Sequence, residues 1–252
     1  MTTDFNGRTA LVTGAASGIG AACARWLDAH GVAKLVLVDR DEAGLAGLHL
    51  NCASERLIGD VSDPAFWEQL EASADRLDHA VVNAGIAAGK PIAEESFEQW
   101  RRIMAVNLDG AFLTLRTVLR LIAKGEQGGS VVVLASVTGV KPMAGTAAYG
   151  SSKAALGHLA KIAALENAPA KIRVNAIAPG GVDTPIWDSD ANFQVLAADI
   201  GRDAAIGTFA SGTPLGRFAS PEEIATTIGF LLSDDAANIT GAVLSSDGGF
   251  AL

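Results

Sequence analysis

The sequence predicts an α/β protein: a doubly wound parallel sheet of about seven strands, with helices on both faces, in one domain spanning residues 1–252. Three observations predict it. Short β-branched runs recur and are apolar on both faces, as strands buried between two helical layers must be. Helical patterns separate them, so strand and helix alternate. The first run leads into a glycine-rich turn that opens a helix. No repeat, low-complexity tract or Pro/Ser-rich linker divides the chain.

The first strand is predicted at 9–12 and the second at 34–38. A weaker third lies at 56–58, before a Gly59-Asp60-Val61 turn. Runs at 80–82, 130–134, 172–176 and 242–244 complete the set. Helical patterns fill 19–30, 63–74, 97–124, 149–167 and 221–232. The last begins Ser220-Pro221-Glu222-Glu223: a cap residue, proline in the first turn, then acids at the positive end of the helix dipole. Ligands of such sheets bind beyond the carboxyl ends of the strands. Functional residues are therefore expected just after strands.

Composition narrows the function classes. The 252 residues are 49% hydrophobic, enough for a large core and too apolar for a disordered chain. Lys plus Arg is 19 and Asp plus Glu 28, a formal net charge of −9. That argues against a nucleic-acid binder, which needs cationic contacts to phosphates. No basic-then-apolar leader and no continuous apolar run of membrane-spanning length stand out, so a cytoplasmic protein with no membrane association is expected. Cys23 and Cys52 are too few for a disulfide framework, and Cys23 reads as a small buried side chain. His30, His49, His79 and His158 are scattered without ligand spacing, so no metal is expected.

The turn after the first strand reads Thr13-Gly14-Ala15-Ala16-Ser17-Gly18-Ile19-Gly20. Gly14 permits the tight turn, Gly18 lets backbone approach a ligand, and Gly20 lets the helix pack on the strand. The helix would aim free N–H groups and its positive dipole end at a pyrophosphate. An acidic protein can thus bind a dianion through backbone donors. Asp39 ends the second strand, 25 residues after Gly14. A carboxylate there accepts bonds from the adenosine ribose hydroxyls and repels a 2′-phosphate, which points to NAD over NADP. Arg40 is the counterweight, since it could neutralise that phosphate. Asp60 and Val61 would flank the adenine. Asn83-Ala84-Gly85 after the fourth strand keeps bulk away from the cofactor, or is an ordinary strand-to-helix turn.

The sole tyrosine is Tyr149, four residues before Lys153. At i and i+4 on a helix, phenol and ammonium share a face. A cation so placed is expected to lower the phenol pKa toward physiological pH, letting Tyr149 pass a proton to or from a substrate oxygen. Ser136 follows the fifth strand and could hydrogen-bond the same oxygen. Ser151 and Ser152 read as helix packing and solubility.

Taken together, these motifs resemble the short-chain dehydrogenase/reductase family over nearly the whole chain. The resemblance implies a Rossmann-type sheet and a catalytic tetrad of Asn107, Ser136, Tyr149 and Lys153. It implies cofactor contacts from Gly14, Ser17, Gly18, Ile19 and Gly20. Pro179-Gly180-Gly181-Val182-Asp183-Thr184-Pro185 is similar to the family's nicotinamide-side motif, with Val182 and Thr184 near the carboxamide. Tyr149 would be the acid/base. Lys153 would depress its pKa and hold the nicotinamide ribose, and Ser136 would steady the reacting oxygen. Asn107 would hold a water linking Lys153 to solvent through a local helix distortion. One position departs: the family commonly has Asn-Asn-Ala-Gly after the fourth strand, and Val82 replaces the first Asn. A local structural change without loss of cofactor binding is expected.

The resemblance also implies a mobile substrate lid at 186–213, whose apolar residues suggest a mainly hydrophobic alcohol or ketone, or merely pack the lid on the body. Val140, Met143 and Ala144, with Ile186 and Trp187 of the lid, would line the substrate pocket beside Ser136 and Tyr149. A homotetramer is implied, with small residues Ala154, Ala155, Ala160, Ala163 and Ala164 at helix contacts, unless they are buried within one chain. The apolar end Gly248–Leu252 would also meet a subunit. The expected activity is an NAD-dependent oxidoreductase of secondary alcohols and ketones. The alternatives are an NADPH-dependent 3-oxoacyl-[acyl-carrier-protein] reductase and a non-catalytic dinucleotide-binding sensor.

Overall fold

A computed structural model describes residues 4–252. Seven strands form one parallel sheet: β1 (Thr9–Thr13), β2 (Lys34–Asp39), β3 (Ala53–Ile58), β4 (His79–Val82), β5 (Gly129–Leu134), β6 (Ile172–Pro179) and β7 (Val243–Ser246), in the order β3-β2-β1-β4-β5-β6-β7. The order reverses between β1 and β4, so a crevice opens there at the carboxyl ends. The helices are α1 (Gly18–Ala29), α2 (Glu42–Ala46), α3 (Pro64–Ser73), α4 (Phe97–Met104), α5 (Gly110–Ala123), α6 (Ala147–Asn167), α7 (Ala191–Ile200), α8 (Arg202–Ala210) and α9 (Pro221–Leu232).

Side chains alternate across each strand, which divides the core in two. Leu11, Val36, Val82, Val133 and Val174 face one layer with residues of α3, α5 and α6. Val12, Leu35, Leu37, Val132 and Ile177 face the other with residues of α1 and α9. The result is a single Rossmann-like domain. Val82, the residue that departs from the family pattern, is a 3% exposed member of the first core.

Three expectations are corrected. The third strand begins at Ala53, three residues before the predicted start, and most of it is exposed. It is the sheet edge, so it carries Ser54, Glu55 and Arg56 where a central strand would be apolar. The final strand runs Val243–Ser246, displaced from the predicted 242–244. The continuous helix predicted at 97–124 is interrupted by a π-helical segment, Ala105–Asp109, between α4 and α5. The insert at 186–213 is two helices, α7 and α8, behind a 3₁₀ turn at Pro185–Ser189. Of the alanines assigned to a subunit contact, Ala160, Ala163 and Ala164 are buried in the chain's own core, while Ala154 and Ala155 are not. Cys23 is buried, and desolvation pushes its thiol pKa far up. Among the described residues no helix is long and apolar enough to cross a membrane.

Candidate active site

The glycine turn is built as its spacing predicts. Gly14 and Gly18 sit at φ +66° and +51°, left-handed conformations that favour glycine. Gly14 and Ala15 donate to Val38 O at the end of β2. Ser17 is the N-cap of α1 but makes no side-chain cap bond, so the first-turn amides of Gly18, Ile19 and Gly20 keep their donors for a ligand. At Gly20 a Cβ would overlap the Gly14 carbonyl oxygen and lie 2.7 Å from Asn83 Nδ2. Only glycine lets the helix start this close to the strand end.

Two side chains fasten this turn to the next, and the sequence reading gave one of them, Thr13, no role. Thr13 Oγ1 accepts from the amides of Asn83 (3.0 Å) and Ala84 (3.1 Å). Asn83 Nδ2 donates back to Thr13 O (2.9 Å) and Gly14 O (3.2 Å). The turns after β1 and β4 are therefore one rigid unit across the switch point. A small hydroxyl closing the first strand was the available signal for Thr13. Asn83 was singled out as a cofactor residue, and its side chain acts here as a staple.

Asp39 lies against the glycine turn, where its Oδ2 accepts from Ala16 N at 2.9 Å. Its other oxygen accepts from the amides of Arg40 (2.7 Å) and Asp41 (3.0 Å). Arg40 is mostly exposed and leans toward Asp60, Nη1 to Oδ2 3.6 Å. Partial burial pushes the Asp60 carboxyl pKa up, but bonds from Ser62 and the charge of Arg40 bring it below its usual value. Val61 is buried, and its carbonyl accepts from Trp67 Nε1 at 2.8 Å.

Beyond the carboxyl ends of β4 and β5, the structure brings together the four residues assigned to catalysis. Lys153 is 5% exposed; its Nζ donates to Leu134 O at 2.7 Å and lies 5.7 Å from the Tyr149 ring centroid. Asn107 is fully buried in the π-helical segment. Its Oδ1 accepts from Ile86 N (2.8 Å) and its Nδ2 donates to Ile86 O (2.9 Å). Gly85 lies against both: a Cβ there would sit 3.3 Å from Asn107 Oδ1 and 3.5 Å from Lys153 Nζ. Ser136 is 7% exposed and its Oγ accepts from Thr138 N and Oγ1. Gly139 lets the Ser136 loop close on α6, since a Cβ there would be 2.6 Å from Ala154 N.

Ser152, read as packing and solubility, is a connector. It is fully buried, donates to Tyr149 O (2.7 Å) and accepts from Asn107 Nδ2 (3.3 Å). The distortion expected around Asn107 is present as the π segment, and its side-chain amide is bonded to Ile86 and Ser152.

The electrostatics correct another expectation. Desolvation raises the Tyr149 phenol pKa above its ordinary value, and only the nearby Ser136 hydroxyl opposes it. Desolvation also pushes Lys153 down to about 8. The sequence predicts a phenol lowered by its ammonium neighbour. The reversal arises because burial penalises the charged form of both groups, and at this separation their attraction does not offset it.

The residues assigned to the nicotinamide side lie at and after the end of β6. Pro179 ends the strand, and at Gly180 a Cβ would meet Asp247 Cα at 2.8 Å. Val182 and Thr184 are 6% and 8% exposed. The Thr184 methyl approaches the glycine turn, 3.2 Å from where a Gly18 Cβ would be. Val140 and Met143, on the loop between Ser136 and Tyr149, are 54% and 42% exposed, and Ile186, in the 3₁₀ turn, is 37% exposed. Trp187 instead stacks on Phe218 (5.0 Å, 19°), meets Phe209 edge-on, and donates to Val182 O at 2.8 Å. It anchors the segment 186–213 on the body.

The family model described as "Enoyl-(Acyl carrier protein) reductase" matches residues 14–251. The chain belongs to the short-chain dehydrogenase/reductase family. It is 37% identical over 254 residues to cis-4-hydroxycyclohexanecarboxylate dehydrogenase of Sinomonas cyclohexanicum, with 98% of this chain and 97% of that one covered. The crystal structure of levodione reductase superposes with a TM-score of 0.89 at 33% identity, covering 98% of each chain. L-sorbose reductase from Gluconobacter frateurii, complexed with NADPH and L-sorbose, superposes with a TM-score of 0.91 at 30% identity, covering 99% of this chain and 98% of that one. This short-chain dehydrogenase/reductase is an oxidoreductase acting on CH–OH groups, and its family binds NAD(P).

Proposed function

We propose that this enzyme is an NAD-dependent dehydrogenase that interconverts a secondary alcohol and its ketone on a mainly hydrophobic small molecule. The observation that carries the reading is the convergence of Ser136, Tyr149 and Lys153 at the mouth of the switch-point crevice. The glycine turn fits the cofactor: its helix start has no side-chain cap, and Gly14 and Gly18 take the left-handed conformations that aim the turn's amides outward. Gly14, Ser17, Gly18, Ile19 and Gly20 would hold the pyrophosphate. Asp39, Arg40, Asp60 and Val61 would hold the adenosine, with Asn83, Ala84 and Gly85 beneath. Tyr149, Lys153, Pro179, Gly180, Val182 and Thr184 would surround the nicotinamide half. When bound, NAD supplies the hydride acceptor for oxidation and, once reduced, the hydride donor for ketone reduction.

The protein's part is proton handling and positioning. Tyr149 takes the hydroxyl proton in oxidation and returns it to the carbonyl oxygen in reduction. Ser136 donates to that oxygen and stabilises charge developing on it. Lys153, held by Leu134 O, presents its ammonium beside the phenol. Asn107 positions the Ile86 loop under both. Val140, Met143 and Ile186 supply an apolar wall, as suits a relative named for a hydroxycyclohexane substrate. The assembly read from the resemblance, a homotetramer, and a cytoplasmic location belong to this proposal.

Asp39 supports NAD over NADP. A 2′-phosphate beside its carboxylate would juxtapose like charges at a cost of several kcal/mol, while Arg40 is drawn toward Asp60. In a fluorescence titration, NADH is expected to bind about a hundredfold more tightly than NADPH, and Asp39→Ser to narrow that gap. Equal affinities in the parent enzyme would reject the assignment.

The raised phenol sets the pH dependence. Oxidation needs the deprotonated phenol as base, and Tyr149 titrates above the ordinary phenol range. Below that pKa, kcat/KM for oxidation is expected to climb about tenfold per pH unit. Reduction uses the protonated phenol and should stay level over the same range. Initial rates in both directions check this, and an oxidation profile that is flat from neutral pH upward would contradict it.

A further inference from the structure

Three segments meet at one place: the loop 137–145 after Ser136, the chain at 214–216, and the loop after β6. One short turn, 247–252, touches all three. Lys141 Nζ donates to Phe250 O at 2.7 Å, reaches Leu252 O at 3.5 Å, and lies 5.0 Å from the Phe250 ring centroid. Gly248 O accepts from Leu215 N at 3.1 Å. Gly249 abuts Pro214, where a Cβ would come within 3.2 Å. Asp247 stands against Gly180, and its carboxylate ties the turn together by accepting from Gly249 N (3.0 Å) and Ala251 N (2.8 Å). Gly248 and Gly249 adopt φ +61° and +88°, conformations that let the turn double back.

The Lys141 side chain joins this turn to the Ser136 loop. Its own amide donates to Val137 O at 2.8 Å, so the residue is fixed at both ends. Val140 and Met143, the exposed apolar residues of that loop, stand on either side of it in sequence.

We propose that Lys141 is a positioning residue for substrate selectivity. By clasping the turn 247–252 it holds the loop carrying Val140 and Met143 at a set distance from the lid, and so limits the bulk of the alcohol that can lie over Ser136 and Tyr149. This rests on the reading of the crevice as an alcohol site. A charged donor bonded to a carbonyl contributes more than a neutral one, and the aromatic face adds cation–π attraction. Loss of the ammonium releases the loop without touching the proton-transfer groups.

The test compares the parent enzyme with Lys141→Met and Lys141→Arg. Two measurements are made: kcat/KM for cyclohexanol relative to 4-tert-butylcyclohexanol with NAD, and amide hydrogen exchange. Lys141→Met keeps the stem and removes charge and donor. It is expected to relax the preference for the smaller ring by about tenfold, the scale on which pocket bulk discriminates. It should also speed exchange in 137–145 and 213–216 and leave NADH affinity unchanged. Lys141→Arg should restore both. An unchanged selectivity ratio in Lys141→Met, or unchanged exchange in those two segments, overturns the proposal. Should the parent turn over no alcohol, the proposed function falls, and the exchange data still decide whether the clasp exists.

Discussion

Tyr149→Phe is expected to lower oxidation of a secondary alcohol by about 10²–10⁴-fold, the usual contribution of a positioned general base. The substitution is clean in this setting. The ring stays, and with it the face that Lys153 Nζ approaches at 5.7 Å. The Ser152 bond to Tyr149 uses the main-chain carbonyl and survives. Only the hydroxyl is lost, a group whose desolvation already weighs against ionisation. Dinucleotide affinity and thermal midpoint should therefore match the parent. The check is initial-rate absorbance of the reduced nicotinamide, with a parallel cofactor titration. A variant that turns over within about tenfold of the parent would remove Tyr149 from the acid/base role.

Gly20→Ala should be the most damaging single-methyl change in the chain. The new Cβ would overlap the Gly14 carbonyl oxygen and crowd Asn83 Nδ2 at 2.7 Å. Neither neighbour is the loose end of a flexible side chain. Gly14 O is backbone held at φ +66°, and Asn83 is stapled to Thr13 O and Gly14 O. Relief requires the turns after β1 and β4 to part. Overpacking of this kind costs about 1–3 kcal/mol, a drop of roughly 2–4 °C in midpoint per kcal/mol at this chain length. Dinucleotide affinity should fall by at least about a hundredfold, because the donors lie in the displaced turn. Gly207→Ala in α8 is the control: nothing lies within 4 Å of its added Cβ, so it should be neutral or slightly stabilising. Parent-like NADH binding by Gly20→Ala would mean that the turn does not cradle the cofactor.

Much of the architecture was legible because buried parallel strands must be apolar on both faces, and because turn residues carry local signals. The helix at Pro221–Leu232 was bounded to the residue: Ser220 and Glu223 form a reciprocal capping box, a purely local device. Ala53–Ile58 was underestimated because an edge strand is not required to be apolar, and Glu55 there pairs with Lys34 at 2.8 Å. The local pattern Ala-Val-Asn-Leu-Asp reads as ordinary helix, so the distortion at Asn107 was expected only from the family resemblance; a partner 21 residues away, Ile86, bonds it. The spacing of Tyr149 and Lys153 showed that the two meet. It could not show how far burial would push their titrations apart, because desolvation depends on everything packed around them.

The pairing of Asn107 with Ile86 also restricts which residue can stand at position 107. Its carboxamide counterfeits a peptide unit, offering one acceptor and one donor to a neighbour that presents the matching donor and acceptor. Aspartate would set an anionic oxygen against the Ile86 carbonyl, and glutamine would overshoot by a methylene. The segment leaving β4 thus gains a rung of ladder bonding from a helix side chain, and the floor of the crevice is sheet-like past the point where the sheet itself has stopped.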